Sequence, residues 1–475
     1  MKVCLIAEGC YPYVVGGVST WVQTLISEFS DMEFCVYAIG VNEEERGRFK
    51  YELPENVTEV EEIFLKSIHK GGEKKKKRYK IDAQGKKALR SLIIEKDVNW
   101  NEVFDFFNKN QVPSVEILMG REFLELAMEL YEKSYSRTVF VDFLWTLRSM
   151  YLPFFTLINN PLPEADLYHS VSTGYAGVLA SMGKYLYEKP FLLTEHGIYT
   201  REREEEIIKA EWTKGYFKDM WIQHFYKLSR CAYDYADKVV SLFSVNRELQ
   251  IELGCNQEKT VIIPNGIREE NYANLPQKEE GEETLNIGAI VRVVPIKDIK
   301  TMIMAFNEVK EELPNTKFYI MGPMDEDPEY YDECKKIVDS FGLDNVIFTG
   351  RIDVKQYIGK MDVLVLTSIS EAQPISILEG MAASKPWVVT NVGACRELME
   401  GRLEDGLGLA GFVVPTMNIS RIASAIVKLG KDKDLRNEMG KIGLKRVKKY
   451  YRQEDFINEY SNMYDMLGGA LSWQG

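Results

Sequence analysis

The sequence predicts an α/β chain made of two doubly wound, Rossmann-like domains in tandem. Three observations predict it. Short Val/Ile/Leu runs recur along the 475 residues, separated by stretches with helical apolar spacing. Two such series occur, one opening at "KVCLIAEG" and one at "TLNIGAIV". Between them lies "NLPQKEEGEE", a polar, charged run with few large apolar residues, which reads as an interdomain linker.

The elements follow in order. "KVCLIAEG" is a short apolar run ending in glycine, as in a buried parallel strand. After the loop "CYPYVVGG", Val18, Trp21, Val22, Leu25 and Ile26 share one helical face. "EFCVYAIG" is the second strand, which completes the β–loop–α–β opening of a doubly wound domain. Residues 66–160 fit that rhythm poorly. They begin with the basic run "HKGGEKKKKRYK" and continue in amphipathic stretches such as "REFLELAMELYEKSY", and they read as a helical insertion. Alternation resumes with "ADLYHSVS", a helix near 174–185, "PFLLTEHG", a helix at 216–235, "DKVVSLFS" and "TVIIPNGI". The second series runs through "TLNIGAIV", helix 297–312, "KFYIMG", helix 329–341, "NVIFTG" and helix 354–360. It ends with "DVLVLTS", a helix from about 375, "PWVVTN" and "GFVVP". Helical patterns fill 418–470. The expected division is a first domain at 1–275, a second at 276–445, and a helical segment at 446–475 that packs back on the first. A cleft between such domains, at the carboxyl ends of the strands, is the expected ligand site.

Bulk properties exclude several classes. The net charge of −13 argues against general nucleic-acid binding, which needs a basic footprint. Seven cysteines, at 4, 10, 35, 231, 255, 334 and 395, form no C-x-x-C pair and read as free thiols in a reducing compartment. The apolar stretch before Glu8 is too short for a signal-peptide core, and no segment approaches a membrane span. A cytoplasmic chain is expected.

Three features of the sequence carry chemistry. In "AIVRVVPIKDIKTMI", Arg292 follows a strand and Lys297 stands at the start of the next helix. Across a turn, both could point at one diphosphate, Arg as a fork and Lys as a point charge; two solvated cations read equally from the spacing. In "SISEAQPISILEGMAASKP", Pro374 opens a helix, so Glu371 falls in the loop and Glu379 on the helix. The helix start at 374–377 offers free N–H groups to an anion, and the two acids suit sugar hydroxyls or, alternatively, plain solvent. In "PYVVGGVSTWV", Gly16 and Gly17 would let a phosphate approach the backbone, or form a simple turn. His196, after "PFLLTE", should sit at a strand end; a structural histidine is the alternative. Asp325 and Asp327 in "MDEDPEYY" form a D-x-D, read here as an acidic loop rather than a metal site.

Arg292, Lys297 and the Glu371/Glu379 pair, with "VIIPNGI", "FYIMGP", "NVIFTGRID" and "SEAQPISILEGMAASKPWVVTNVGACRELM", resemble retaining glycosyltransferase family 4, whose fold is GT-B. The resemblance covers about 260 to 450. The glycine loop and "TEHGIYTRERE" look more particularly like the cytosolic glycosyltransferases of Pel exopolysaccharide assembly, over most of the chain. The local departure is the strand end "IVRVVP", where the family usually has a glycine and here Pro295 precedes the lysine.

The resemblance implies a role for each matching residue. Arg292 and Lys297 would neutralise the nucleotide diphosphate, and Glu379 would bind the ribose hydroxyls. Glu371 would lie near the donor sugar, beside the backbone amides of Gln373, Pro374, Ile375, Ser376 and Ile377, a run in which proline carries no N–H. Arg351 and Ile352 would flank the nucleobase, His196 would contact the donor sugar, and Gly16 and Gly17 would face the diphosphate. It further implies a UDP-sugar donor, UDP-glucose or a UDP-N-acetylhexosamine, and a saccharide acceptor such as a growing exopolysaccharide. No metal or other cofactor is expected. A membrane polysaccharide synthesis complex is the expected neighbour at the inner face of the plasma membrane, with "KKKKR", 74–78, as a candidate docking point or a plain solvated loop. The alternatives are a GT-B epimerase or phosphorylase, and a non-catalytic nucleotide-sugar-binding scaffold. A nicotinamide dehydrogenase is disfavoured because neither domain opens with G-x-G-x-x-G.

Overall fold

The computed structural model describes residues 1–66, 81–110, 113–279, 281–402 and 405–469. The basic run 74–78 lies outside the described residues. The chain divides into two compact units, Met1–Ser241 with Arg247–Val261 and Ser461–Gly475, and Leu242–Asn246 with Ile262–Tyr460.

The first unit is built on β1 (Lys2–Glu8), β2 (Glu33–Gly40), β3 (Val57–Phe64), β4 (Leu167–Ser170), β5 (Phe191–Glu195), β6 (Lys238–Ser241) and β7 (Thr260–Ile262). Their order in the sheet is β3-β2-β1-β4-β5-β6-β7, and the pairs from β3 through to β6 are parallel. The order reverses between β1 and β4, the point at which doubly wound sheets bind ligands. β1 and β5 open as short apolar runs because both their faces are covered, and β4, Leu-Tyr-His-Ser, is buried with two polar side chains. β3 was not expected from the sequence. It is an edge strand, "VTEVEEIF", whose glutamates interrupt the apolar signal, as edge strands tolerate.

The crossover from β3 to β4 carries the insertion: helices Ala83–Ile94, Trp100–Asn110, Ser114–Leu118, Arg121–Leu130 and Phe140–Ile158. Their apolar faces, with Leu89, Phe104, Leu126 and Phe155 fully buried, join the same core as the sheet. A second unexpected element is the helix Tyr199–Lys209, hidden in the polar run "YTREREEEIIK". Near the end of the chain, Tyr464 reaches His169 on β4, with its hydroxyl 2.8 Å from Nδ1.

The second unit holds β8 (Leu285–Ile290), β9 (Thr316–Met321), β10 (Val346–Gly350), β11 (Val363–Leu366), β12 (Trp387–Thr390) and β13 (Gly411–Val414). The order is β10-β9-β8-β11-β12-β13, with every neighbouring pair parallel. Its switch point lies between β8 and β11. The helix expected at 354–360 is only one turn, Lys355–Ile358. The helix Lys433–Tyr450 is pinned by Arg446, which is fully buried and donates to Asp405 at 2.7 Å and to the carbonyls of Leu398 and Met399.

Candidate functional site

The loops leaving β8 and β11 in the second unit hold most of the sequence-predicted residues. Lys297 does not begin a helix. It ends a 3-10 turn, Pro295–Lys297, and the α-helix starts only at Ile299. Pro295 opens the turn and Asp298 closes it in the left-handed region, φ 49°. Thr367, just after β11, donates to the carbonyls of Lys297 and Asp298 at 3.1 Å each, and Ile369 N–H donates to Ile296 O at 2.9 Å. The two loops are thus tied together through their backbones.

That tie brings Lys297 onto Glu371, and the two form an ion pair. Both side chains are largely shielded, 17% and 10% exposed. Ser368 Oγ donates to the same Glu371 oxygen at 2.5 Å. The loop is held from its far side by Gly393, at φ 51°. A Cβ there would lie 2.2 and 2.3 Å from the carbonyl oxygens of Glu371 and Ala372, so only glycine permits this approach.

Beyond Glu371 the loop enters the helix Ile375–Ala382 at Pro374, whose extended ψ of 118° makes it the cap. Gln373 is anchored by Asn265: the Asn265 N–H donates to Gln373 Oε1 at 2.6 Å, and its amide donates to Gln373 O at 3.3 Å. The first-turn N–H groups of Ile375 and Ser376 stand where helix starts favour anions, while Ile377 N–H donates to Pro374 O at 3.2 Å. Glu379, one turn further, accepts a hydrogen bond from Tyr272 Oη at 2.9 Å. Burial pushes Glu379 above the usual carboxylate range, opposed by that hydrogen bond and by the charge of Lys355. Sequence reasoning did not single out Tyr272, two residues before the run read as linker, or Asn265, which lies within "VIIPNGI".

Arg292 and Arg351 stand differently. Arg292 Nη1 donates to Glu326 at 2.6 Å, with side chains 45% and 33% exposed. Arg351 meets Asp325 at 3.4 Å, also at the surface. Ile352 follows in the half-buried loop after β10. The D-x-D acids both have structural tasks: Asp325 pairs with Arg351, and Asp327 caps the helix Pro328–Ser340 by accepting from Tyr330 N–H. Among the described residues, no cluster of three or more His, Cys, Asp or Glu is placed to hold a metal ion.

The first unit places Gly16 and Gly17 at a helix start and His196 at a strand end. Gly16 and Gly17 open the helix Gly17–Glu28; Gly16 is extended, and a Cβ on either would meet nothing within 4 Å. The unit's own packing does not require glycine at these two positions. His196 follows β5 and is 8% exposed, edge-on to Trp21 with ring centroids 4.8 Å apart. Burial pushes it down to about 4, so it is neutral at pH 7. The adjacent Glu195 accepts from Tyr233 at 2.7 Å, Gln250 at 3.0 Å and Thr173 at 3.2 Å, which fixes the strand end that carries His196.

A cavity of about 310 Å³ opens at the carboxyl ends of β1, β2, β4 and β5, lined among others by Glu8, Val171, Tyr175, His196, Tyr199 and Arg203. Glu8 accepts from Tyr199 Oη at 2.9 Å and Ala176 N–H at 3.2 Å. Burial pushes its carboxyl up, against the charge of Arg203. Sequence reasoning did not single out Glu8. Its signal was there: an acid closing an otherwise apolar strand at the switch point.

These two sheets make a GT-B fold, two parallel-sheet Rossmann-like domains in one chain. Residues 268–446 match the family described as glycosyl transferases group 1. Residues 1–258 match a domain of unknown function (DUF3492), and the chain belongs to that family. It is 24% identical to the N-acetyl-alpha-D-glucosaminyl L-malate synthase of Bacillus anthracis over 170 residues, 36% of this chain and 42% of that protein. It is also 24% identical to the capsular polysaccharide biosynthesis glycosyltransferase CapM of Staphylococcus aureus, over 62% of this chain and 75% of that one. The matched region thus spans less than half of the first relative and three quarters of the second. Among solved structures, Anabaena HepE in complex with UDP superposes with a TM-score of 0.63 at 15% identity, covering 98% of this chain and 100% of that one. The same protein has been solved with UDP-glucose. Among the described residues, no helix is long and apolar enough to cross a membrane.

Proposed function

We propose that this chain is a retaining glycosyltransferase that moves a hexose or N-acetylhexosamine from a UDP-sugar to a growing exopolysaccharide or a related saccharide acceptor. The observation that carries the reading is the loop from Ser368 to Glu379. It sets a shielded lysine–glutamate pair, an open helix start and a tyrosine-anchored glutamate in succession. That succession suits a sugar, a diphosphate and a ribose in turn. The complexes of HepE with UDP and UDP-glucose support a nucleotide-sugar donor by analogy of fold.

The chemistry follows from the charges. A sugar on a nucleotide diphosphate already has a good leaving group, so the site must stabilise charge developing on the phosphate as the anomeric bond breaks. Arg292, Lys297, the N–H groups of Ile375 and Ser376 and the helix start through Ile377 supply positive potential for this, which supports a metal-independent reaction. Same-face attack by the acceptor hydroxyl, its proton passing to the departing phosphate, gives retention without a carboxylate nucleophile. A covalent sugar trapped on any carboxylate of this chain would refute that mechanism. The roles of His196, Gly16, Gly17, Arg351 and Ile352 toward the same donor rest on the family resemblance. The narrower resemblance, to PelF of Pel exopolysaccharide assembly, makes a membrane polysaccharide synthesis complex the proposed neighbour of a cytoplasmic enzyme. CapM, a capsular polysaccharide glycosyltransferase, points to the same class of acceptor.

The test is a thermal-shift screen of nucleotide sugars with wild type and Glu379→Ala. Ribose recognition predicts stabilisation of wild type by UDP-sugars and loss of that shift in the variant for every nucleotide sugar. Full stabilisation of the variant would remove Glu379 from the site. Turnover without an acceptor would turn the reading toward epimerisation, and binding without turnover toward a scaffold.

A further inference from the structure

A second cavity, of about 370 Å³ and partly open to solvent, lies between the helical insertion and the helix Gly215–Tyr235 in the first unit. One wall is apolar: Leu147 and Met150 of the helix Phe140–Ile158, beside Tyr151. The facing helix, Gly215–Tyr235, presents His224 and Lys227 one turn apart. None of these residues belongs to the cavity at the strand ends.

His224 is 2% exposed, and neither ring nitrogen has a hydrogen-bond partner within the protein. Edge-on packing against Tyr151 at 5.2 Å and Phe154 at 6.0 Å fixes the ring. Burial pushes it down to about 3, so it is a neutral imidazole with one donor and one acceptor unmet. Buried polar groups are nearly always bonded, so a doubly unmet imidazole lining a cavity points to a ligand. Lys227 donates once, to Leu92 O at 2.9 Å, an oxygen that Tyr151 Oη also reaches at 3.1 Å. An ammonium carries three donors. Burial pushes Lys227 down to about 8, with only the charge of Glu95 opposing, and Glu95 itself pairs with Arg90 at 2.8 Å.

We propose that this cavity is a binding site for a small anion with an apolar body, a carboxylate or a phosphate monoester. The acid group pairs with Lys227, a ligand oxygen bonds His224, and the apolar body lies against Leu147 and Met150. The size is that of a small-molecule pocket rather than a single-water void. The site stands on its own residues and does not depend on the transfer reading.

The experiment is saturation-transfer NMR on the full chain at pH 7, with benzoate, phenyl phosphate and neutral benzyl alcohol as probes. The expected result is that at least one anion binds wild type, with benzyl alcohol weaker by about tenfold or more. Lys227→Met and His224→Phe should each weaken the bound anion by about tenfold or more, and Lys227→Arg should retain it. Preference for benzoate assigns a carboxylate ligand, and preference for phenyl phosphate a phosphate ester. No transfer to either anion in wild type would overturn the proposal, leaving a water-filled cavity. Equal binding to wild type and Lys227→Met would overturn it too. If His224→Phe does not fold, wild type against Lys227→Met decides.

Discussion

Replacing Lys297 by methionine separates what the lysine does for the fold from what it does for chemistry. The change keeps the length of the side chain and removes the charge. It strands Glu371, only 10% exposed, with the Ser368 hydroxyl as its remaining close side-chain donor. Breaking one partner of a buried pair costs about 3–5 kcal/mol. For a unit of this size, a loss of that order lowers Tm by roughly 10 °C. Adding Glu371→Gln should restore most of the Tm, because the stranded charge is gone. Activity should behave otherwise. Both variants should turn over a UDP-sugar about 10²–10³ times more slowly, since the diphosphate has lost a cation in each. Scanning fluorimetry and a product assay read the two quantities on the same samples. If Lys297→Met keeps the wild-type Tm, or the double variant stays as unstable as the single one, the ion pair is not what the loop depends on. Wild-type turnover in the double variant would remove Lys297 from the diphosphate.

Tyr272→Phe removes the hydroxyl that holds Glu379 and little else. It should raise KM for the nucleotide sugar about three- to tenfold with kcat nearly unchanged, and an equal fall in kcat would contradict a positioning role. Gly393→Ala drives a methyl into the carbonyls of Glu371 and Ala372, so Tm should drop and the UDP-induced thermal shift should vanish; an unchanged shift would mean the loop can move without harm. His224 carries a pH signature. It is pushed to about 3 in the fold against about 6.5 when unfolded, so below pH 6.5 the unfolded chain binds a proton that the fold refuses. Stability therefore falls as pH falls, by about 2 kcal/mol from pH 7 to pH 5 for this residue alone. In chemical denaturation, His224→Phe should be less acid-sensitive than wild type by that amount, and identical acid sensitivity would refute the assignment.

The sequence showed the buried strands and hid the polar elements. β1, β5, β8 and β11 are covered on both faces, so they are continuous apolar runs that stand out in the chain. β3 lies at an edge and the helix Tyr199–Lys209 exposes most of its length, so their charges masked them. The candidate site divides in the same way. Glu371, Pro374 and Glu379 all follow β11, and the proline between them assigns one acid to the loop and the other to the helix. Tyr272, Asn265 and Glu326 reach their partners over sequence separations of 107, 108 and 34 residues, and no local pattern marks such partners. Lys297 itself was placed on the wrong element. Pro295 favours a turn start, but only the left-handed Asp298 separates that turn from the helix.

The partners of the two cations give them different duties in the proposed reaction. Arg292 sits in an exposed pair with Glu326, and such pairs are worth about 0–1 kcal/mol. It can exchange that carboxylate for a phosphate at little cost, and its planar fork suits two oxygens at once. Lys297 cannot be released so cheaply, because its acid is shielded and bonded to Ser368. A diphosphate meeting Lys297 must therefore share it with Glu371. The carboxylate then fixes the ammonium and offsets part of its charge while the donor is intact. As the anomeric bond breaks, charge grows on the leaving phosphate, and the lysine's pull shifts toward it. An interaction that strengthens only as the leaving group departs lowers the barrier rather than the energy of the bound donor. In the proposed reaction the shielded Lys297–Glu371 pair is then the differential element of the site, and Arg292 the capture element.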